Sequence, residues 1–375
     1  MAGIYLHIPF CKQACHYCNF HFSTSITNKH VVINSMIKEV EIKSRFNSDI
    51  IESIYFGGGT PSLLSVSEIN NLIKIIYKKF KISENIEITL EANPEDLTLD
   101  MVKKLSLSLI NRLSIGVQSF NDSELKMMNR SHNSNQSKNC IDNALKYFDN
   151  LSIDLIYGMP NSNFRTWAKN LQILENWEIN HISAYALTVE SNTALKKFIE
   201  KKIIMPLDEE EVYEQYNFMY EKFLSLNYIN YELSSFSKEG YFSKNNSSYW
   251  LGKKYIGIGP SAHSFDGKIR SWNISNNSKY VKQIINNELF YQKEHLTKID
   301  RYNEYVMTGL RTIWGVSLDH IEEKFGKKFS YNIIKKSKKF IDLNMLEIFD
   351  RKIFTTKKGK FLSDGIASEL FIINC

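Results

Sequence analysis

The chain has 375 residues, 43% hydrophobic and 23% charged, a composition that excludes a disordered or fibrous chain. Forty-seven basic residues against 41 acidic ones leave +6, and five cysteines are too few, and odd in number, for a disulfide scaffold. The first residues lack the basic and apolar stretches of a signal peptide, and no run approaches the ~18 apolar residues of a membrane span. A cytoplasmic, reducing location is therefore expected, where thiols stay free to bind metal.

Strands are expected at Ile4–Ile8, Ser53–Phe56, Ile86–Glu91, Arg112–Val117, Ser152–Ile156, Ile182–Leu187 and Tyr228–Leu233. Amphipathic helices are expected near 29–46, 65–80, 98–108, 121–148, 164–177 and 208–226. In the second of these Ile69, Leu72, Ile73, Ile76 and Phe80 recur at helical spacing. Such alternation predicts an α/β fold with a parallel sheet, barrel-like or doubly wound, with its chemistry on loops at the C-terminal strand ends. Residues 1–236 form this first domain. Residues 237–298 read as a connecting segment of loops and short strands, rich in Ser, Asn, Gly and aromatics. Residues 299–375 read as helix, helix, helix, hairpin and a last helix, a small winged-helix-like α domain.

Three cysteines stand together as Cys11-x3-Cys15-x2-Cys18, directly after the first strand. Three thiolates in one loop suit a four-iron cube with one iron left open. A zinc site completed by His16 or His21 is the alternative, as is chance clustering. After the second strand comes Gly57-Gly58-Gly59-Thr60-Pro61, three of only sixteen glycines. Consecutive glycines let backbone groups approach a ligand. A phosphate loop would need a Gly-Lys-Ser/Thr end, which is absent. Cys140 and Cys375 read as bystanders.

Tyr5-x-His7-Ile8-Pro9-Phe10-Cys11-x3-Cys15-x-Tyr17-Cys18 followed by Gly-Gly-Gly-Thr-Pro resembles the radical S-adenosylmethionine (radical SAM) superfamily. More narrowly it resembles the branch that holds oxygen-independent coproporphyrinogen III oxidase and its haem-chaperone relatives. Glu91-Ala-Asn93-Pro94, Gly116-Val-Gln118-Ser-Phe120, Asp154-Leu-Ile-Tyr157-Gly158, Tyr231-Glu232-Leu233-Ser234 and Gly257-Ile-Gly259-Pro260-x-Ala262-His263 extend the likeness over nearly the whole chain. The resemblance implies an incomplete (β/α)6 TIM-like barrel. It also implies a [4Fe-4S] cluster on Cys11, Cys15 and Cys18 whose fourth iron is chelated by S-adenosylmethionine (SAM). It places SAM contacts at Tyr5, Tyr17, Gly58, Gly59, Thr60, Glu91, Gln118, Arg130 and Asp154. Arg130 suits a carboxylate, and Glu91 and Asp154 suit amino or ribose donors. Strand-end carboxylates that merely cap helices are the plainer reading. No catalytic side chain is assigned, since cluster and SAM would carry any radical chemistry.

Within the branch, the oxidase continues its motif to a further cysteine where this chain has Phe20, and carries a segment before the motif where this chain reaches its first cysteine at residue 11. Both features favour haem carriage, with haem or porphyrin as cargo and an acceptor protein as partner. Porphyrinogen oxidation is the alternative activity. The branch's haem-contacting segment reads Asn245-Asn246-x-x-Tyr249-Trp250 here, with Asn245 where the branch has histidine. Asparagine is a poor iron ligand, so Asn246, Tyr249, Trp250 and His263 form the candidate haem set, while Tyr249 and Trp250 read equally as core aromatics. His7 and His181 read as structural. Residues 316–360 carry the whole net charge. With one arginine among twelve basic residues, a solvated lysine-rich face is favoured over nucleic-acid binding, and the same face leaves peripheral membrane contact open.

Overall fold

The structure, a computed structural model, describes residues 1–160, 162–206, 208–287 and 291–373; Cys375 lies outside them. Strands β1 (Ala2–Ile8), β2 (Ile50–Gly58), β3 (Lys81–Ala92), β4 (Arg112–Gln118), β5 (Leu151–Tyr157) and β6 (His181–Ala186) pair in parallel in that order. Side chains alternate across each strand. Ile4, Leu6, Ile54, Phe56, Ile88, Leu90, Leu113, Ile115, Ile153 and Leu155 face the surrounding helices and are fully buried. The other set, Tyr5, His7, Tyr55, Glu91, Ser114, Asp154 and Ser183, lines a polar lumen. The helices start where side-chain caps are available: Ser65 forms a capping box with Glu68, and Thr98 and Asn163 cap theirs.

The helix expected over 121–148 is two helices, Asp122–Met127 and Ser134–Ala144. Asn129 adopts a left-handed φ of 59° and ends the first, while Asn133 caps the second with Gln136. The break matters, because Arg130 sits in it. The expected strand over 228–233 also splits. β7 (Ile229–Asn230) and β8 (Ser235–Ser237) are joined by a turn that the Asn230 amide holds through Glu232 O at 2.7 Å, and β8 runs antiparallel to β6.

Residues 237–298 are more than a connection. A helix, Lys244–Trp250, stands where loops were expected. β9 (Lys254–Ile258) then pairs in parallel with the free edge of β1, followed by antiparallel β10 (His263–Phe265), β11 (Ile269–Asn273) and β12 (Tyr291–His295), so that one sheet of twelve strands contains the barrel. Glu39 fastens this extension. It is fully buried and accepts from Gly259 N (2.8 Å), Asn273 Nδ2 (2.7 Å) and Tyr280 Oη (2.6 Å), and pairs with Lys43 (2.8 Å). Replacing Glu39 with alanine leaves the buried Gly259 N and Tyr280 Oη without this acceptor and breaks the pair with Lys43, so we expect a loss of about 3–5 kcal/mol, read as a lower urea midpoint. A loss under about 1 kcal/mol would show that the extension holds without it.

The C-terminal module begins with helix Lys298–Leu310. It continues through β13 (Val316–Ser317), helices Leu318–Lys324 and Lys327–Asp342, and the hairpin of β14 (Leu346–Phe349) and β15 (Lys352–Thr355). The last helix expected from Lys357 is two, Lys357–Lys360 and Ser363–Leu370. The small sheet has the order β13-β15-β14 and covers its own core of Tyr302, Val306, Ile321, Ile333 and Ile353, in the winged-helix-like pattern. Lys360 Nζ reaches Asn230 O at 3.3 Å and ties the module to the barrel edge. Among the described residues no helix is long and apolar enough to cross a membrane.

Candidate functional site

The cysteine loop follows β1 and is tied down at both ends. Cys11 N donates to Ser23 O at 3.1 Å, and Thr60 N to Phe10 O at 2.7 Å. His16 N donates to Met128 O at 3.1 Å and its Nδ1 lies 2.7 Å from Met127 O, which fastens the loop to the turn carrying Arg130. Cys11, Cys15 and Cys18 carry free, partly accessible thiols, while Cys140 is buried in its helix. Burial pushes the Cys11 thiol up to about 11, against a hydrogen bond from Thr60 and the charge of Arg130. Burial also raises Cys18.

Zinc fits poorly. His16 is committed to Met127 O, and His21 Nε2 lies 2.9 Å from Asn277 Oδ1. No three His, Cys, Asp or Glu side chains among the described residues converge on a single-ion position. An iron–sulfur cube takes one thiolate per iron and needs no such convergence.

Around the thiols the structure gathers the other predicted residues. Arg130 Nη1 lies 3.6 Å from Cys15 Sγ, and its Nη2 donates to Asn93 Oδ1 (2.6 Å) and Gly116 O (2.9 Å). Its buried Nε has no partner, which suits an incoming carboxylate. Asn93 Nδ2 reaches Thr60 Oγ1 at 3.5 Å, so one amide links the residues beside Cys11 and Cys15. Gln118 has a left-handed φ of 66° beside a register shift in β4. This strained conformation lays its amide over Gly116, where a Cβ would stand 2.7 Å from Nε2. Tyr17 borders Arg130 and the cysteines, and burial lifts its hydroxyl far up.

Glu91 accepts from Tyr55 Oη at 2.7 Å, and Tyr55 stacks on Tyr5 with ring centres 6.0 Å apart. Burial pushes Glu91 up to about 7; Tyr55 and the Gly58 N–H oppose the shift, and Asp154 adds to it. Asp154 accepts from Ser114 at 3.2 Å and is held at about 6 by burial against the charge of Arg112. Both carboxyls keep some surface toward the lumen although protein surrounds them, so burial outweighs that small access. The glycine loop also serves close packing within the protein. A Cβ on Gly58 would stand 2.6 Å from the His7 ring, and one on Gly59 2.6 Å from Phe10 O. These glycines first let β2 close onto the cysteine loop. Gly58, at φ 106°, then turns its N–H to Glu91.

The haem candidates occupy a different place. Asn246, Tyr249 and Trp250 ride on the helix Lys244–Trp250, whose N-terminal amides meet Glu87 (Lys244 N, 3.1 Å; Asn245 N, 3.2 Å) at the N-terminal end of the barrel strands. Tyr249 is half exposed and packs on Tyr255 (5.9 Å) and edge-on to Trp250 (5.3 Å), and Arg311 lies over Trp250 at 5.3 Å. Neither is buried in the barrel core, and Trp250 meets the C-terminal module through Arg311, as expected of aromatics that join the two domains. His263 is on β10 and stacks on Trp272 at 5.6 Å. His181 is structural: its ring nitrogens sit 2.8 Å from Ser152 Oγ and 2.8 Å from Tyr231 Oη. His7 is held at about 4 by burial and lies 2.8 Å from His21 O. Sequence reasoning missed Tyr55, Asn93 and Arg112 at the first site and Tyr255, Phe265, Arg270 and Trp272 at the second. For the inward residues the signal was the period-two pattern itself, which alternates polar with apolar along every strand.

A six-stranded parallel barrel with three free thiols at its mouth and an arginine beside them defines a radical SAM protein. The radical SAM superfamily matches residues 5–174, and the HemN C-terminal domain matches residues 296–362. The chain belongs to the HemW family: it is 35% identical to the "Heme chaperone HemW" of Buchnera aphidicola subsp. Schizaphis graminum over 97% of this chain and 96% of that one. The protein of the same name in Bacillus subtilis is 29% identical over 98% of both chains. Among solved structures, coproporphyrinogen III oxidase (HemN) from Escherichia coli superposes with a TM-score of 0.85 at 20% identity, covering 99% of this chain and 90% of that one. This is a likeness of fold.

Proposed function

We propose that this protein carries haem in the cytoplasm and passes it to an acceptor protein, and that it holds a SAM-chelated [4Fe-4S] cluster on Cys11, Cys15 and Cys18. The full-length similarity to heme chaperones carries the reading. When bound, such a cluster supplies one-electron chemistry. The chain's own part is to seat SAM. Arg130 offers its free Nε to the carboxylate. Glu91, Asp154 and Gln118 accept from amino and hydroxyl groups. Tyr5 and Tyr17 wall the site, and Gly58, Gly59 and Thr60 supply its backbone edge. Asn246, Tyr249, Trp250 and His263 are the haem contacts of this reading.

Porphyrinogen oxidation is the second reading, because the constellation around the thiols is complete enough to serve redox chemistry. Anaerobically reconstituted protein separates the two when haem titration and a porphyrinogen assay run in parallel. Saturable haem binding without protoporphyrinogen formation is expected; turnover without haem binding would reject the chaperone reading.

SAM binding should depend on pH. Glu91 accepts best when ionised, and its folded value near 7 lies within the working range. As pH falls from 8 to 6 the ionised fraction drops about tenfold, and SAM affinity should weaken by about the same factor. Glu91→Gln should bind weakly and keep only the shallower dependence left by Asp154, whose folded value is about 6. A flat profile in the unsubstituted protein would remove Glu91 from the SAM site.

A further inference from the structure

One face of the sheet extends from the barrel lumen toward its outer edge, with the His263 backbone folded close over Gly257, where a Cβ would stand 2.1 Å from His263 O. β9 pairs Tyr255 with Gly3 and Gly257 with Tyr5, and β10 pairs Phe265 with Tyr255. β11 then pairs Trp272 with His263 and Arg270 with Phe265. Cross-strand partners share a face, so Tyr255, His263, Phe265, Arg270 and Trp272 continue the inward face of β1. Tyr249 packs on the same face through Tyr255. The result is a half-exposed aromatic surface suited to a flat ring system, with Arg270 at its edge paired to Glu304 at 2.6 Å.

Of the nine histidines, five have ring nitrogens in hydrogen bonds: His7, His16, His21, His132 and His181. His30 lies on the helix Lys29–Ser44, and His320 packs against Tyr305 in the C-terminal module. His295 pairs with Ile269, on the opposite sheet face. His263 is exposed, stacks on Trp272 with the rings 19° apart, and makes no ring hydrogen bond among the described residues. Partial burial and nearby Arg270 hold it below the usual histidine range, so the imidazole is neutral near pH 7 and able to bind a metal.

We propose that His263 is the axial ligand to haem iron, with the macrocycle lying on the face formed by Tyr249, Tyr255 and Phe265. The inference rests on the haem-carrier reading. It puts the ligand on β10, whereas Asn245 stands at the start of the helix and turns its N–H to Glu87.

The test titrates ferric haem into the full-length protein, His263→Ala, His263→Gly with and without imidazole, and His295→Ala, and follows the Soret band and the electron paramagnetic resonance of the haem. We expect a nitrogen-ligated spectrum in the unsubstituted protein and in His295→Ala. We expect loss of that signature and at least about tenfold weaker binding in His263→Ala, and its return when imidazole is added to His263→Gly. If His263→Ala keeps the spectrum and the affinity, the ligand assignment is overturned while haem carriage stands. If the unsubstituted protein binds no haem, both are overturned.

Discussion

Cys15→Ala protein, reconstituted with iron and sulfide, is expected to stay nearly colourless and to fall from about four irons per chain to below one. Besides the ligand, the substitution removes the 3.6 Å contact from Arg130 Nη1 to the sulfur, while Arg130 keeps Asn93 and Gly116. The loop around it is held by backbone bonds, Cys18 N to Cys15 O (3.3 Å), His16 N to Met128 O (3.1 Å) and Leu195 N to His16 O (2.8 Å), and none of these uses the sulfur. The side chain is only partly buried, so no large cavity forms. Cys140→Ala is the control, because that thiol is buried in the helix Ser134–Ala144 and its loss should leave iron content unchanged. Undiminished iron and sulfide in Cys15→Ala would refute the ligand assignment.

Arg130→Lys is expected to keep the cluster and to weaken SAM binding by about a hundredfold or more, roughly 2.7 kcal/mol. Lysine preserves the charge but not the planar fork. Arg130 uses that fork toward Cys15 and toward Asn93 and Gly116, and its buried Nε is left without a partner. An ammonium group cannot satisfy Asn93 and Gly116 and still reach a carboxylate. The measurement is the SAM-induced change in the spectrum of the reduced cluster, followed as a titration. Unchanged affinity would exclude Arg130 from the SAM site.

How much was legible in the sequence varied with how local the cause was. The cysteine spacing and the apolar rhythm of the helix Val66–Lys79 are local patterns, and both read directly. The break between Asp122–Met127 and Ser134–Ala144 turns on the left-handed Asn129, which hydrophobic periodicity does not register. The helix Lys244–Trp250 buries none of its residues, so it has no apolar stripe to detect. The triple glycine was noticed for the right reason, backbone closeness, but the first close neighbour is His7 and the Phe10 carbonyl.

By itself the sequence determined the three-cysteine loop, the α/β alternation, a distinct C-terminal module and the residue types proposed to hold SAM. Each of these is written in neighbouring residues or in a short period. Only the tertiary structure decided that Cys15, Asn93, Gly116 and Arg130 meet, because four separate segments bring them together. Only the register of β1 with β9 and of β9 with β10 decided that His263 shares a face with Tyr249 and Tyr255. Register is set by pairing between strands far apart in the chain, and a shift of one residue would turn His263 to the other side.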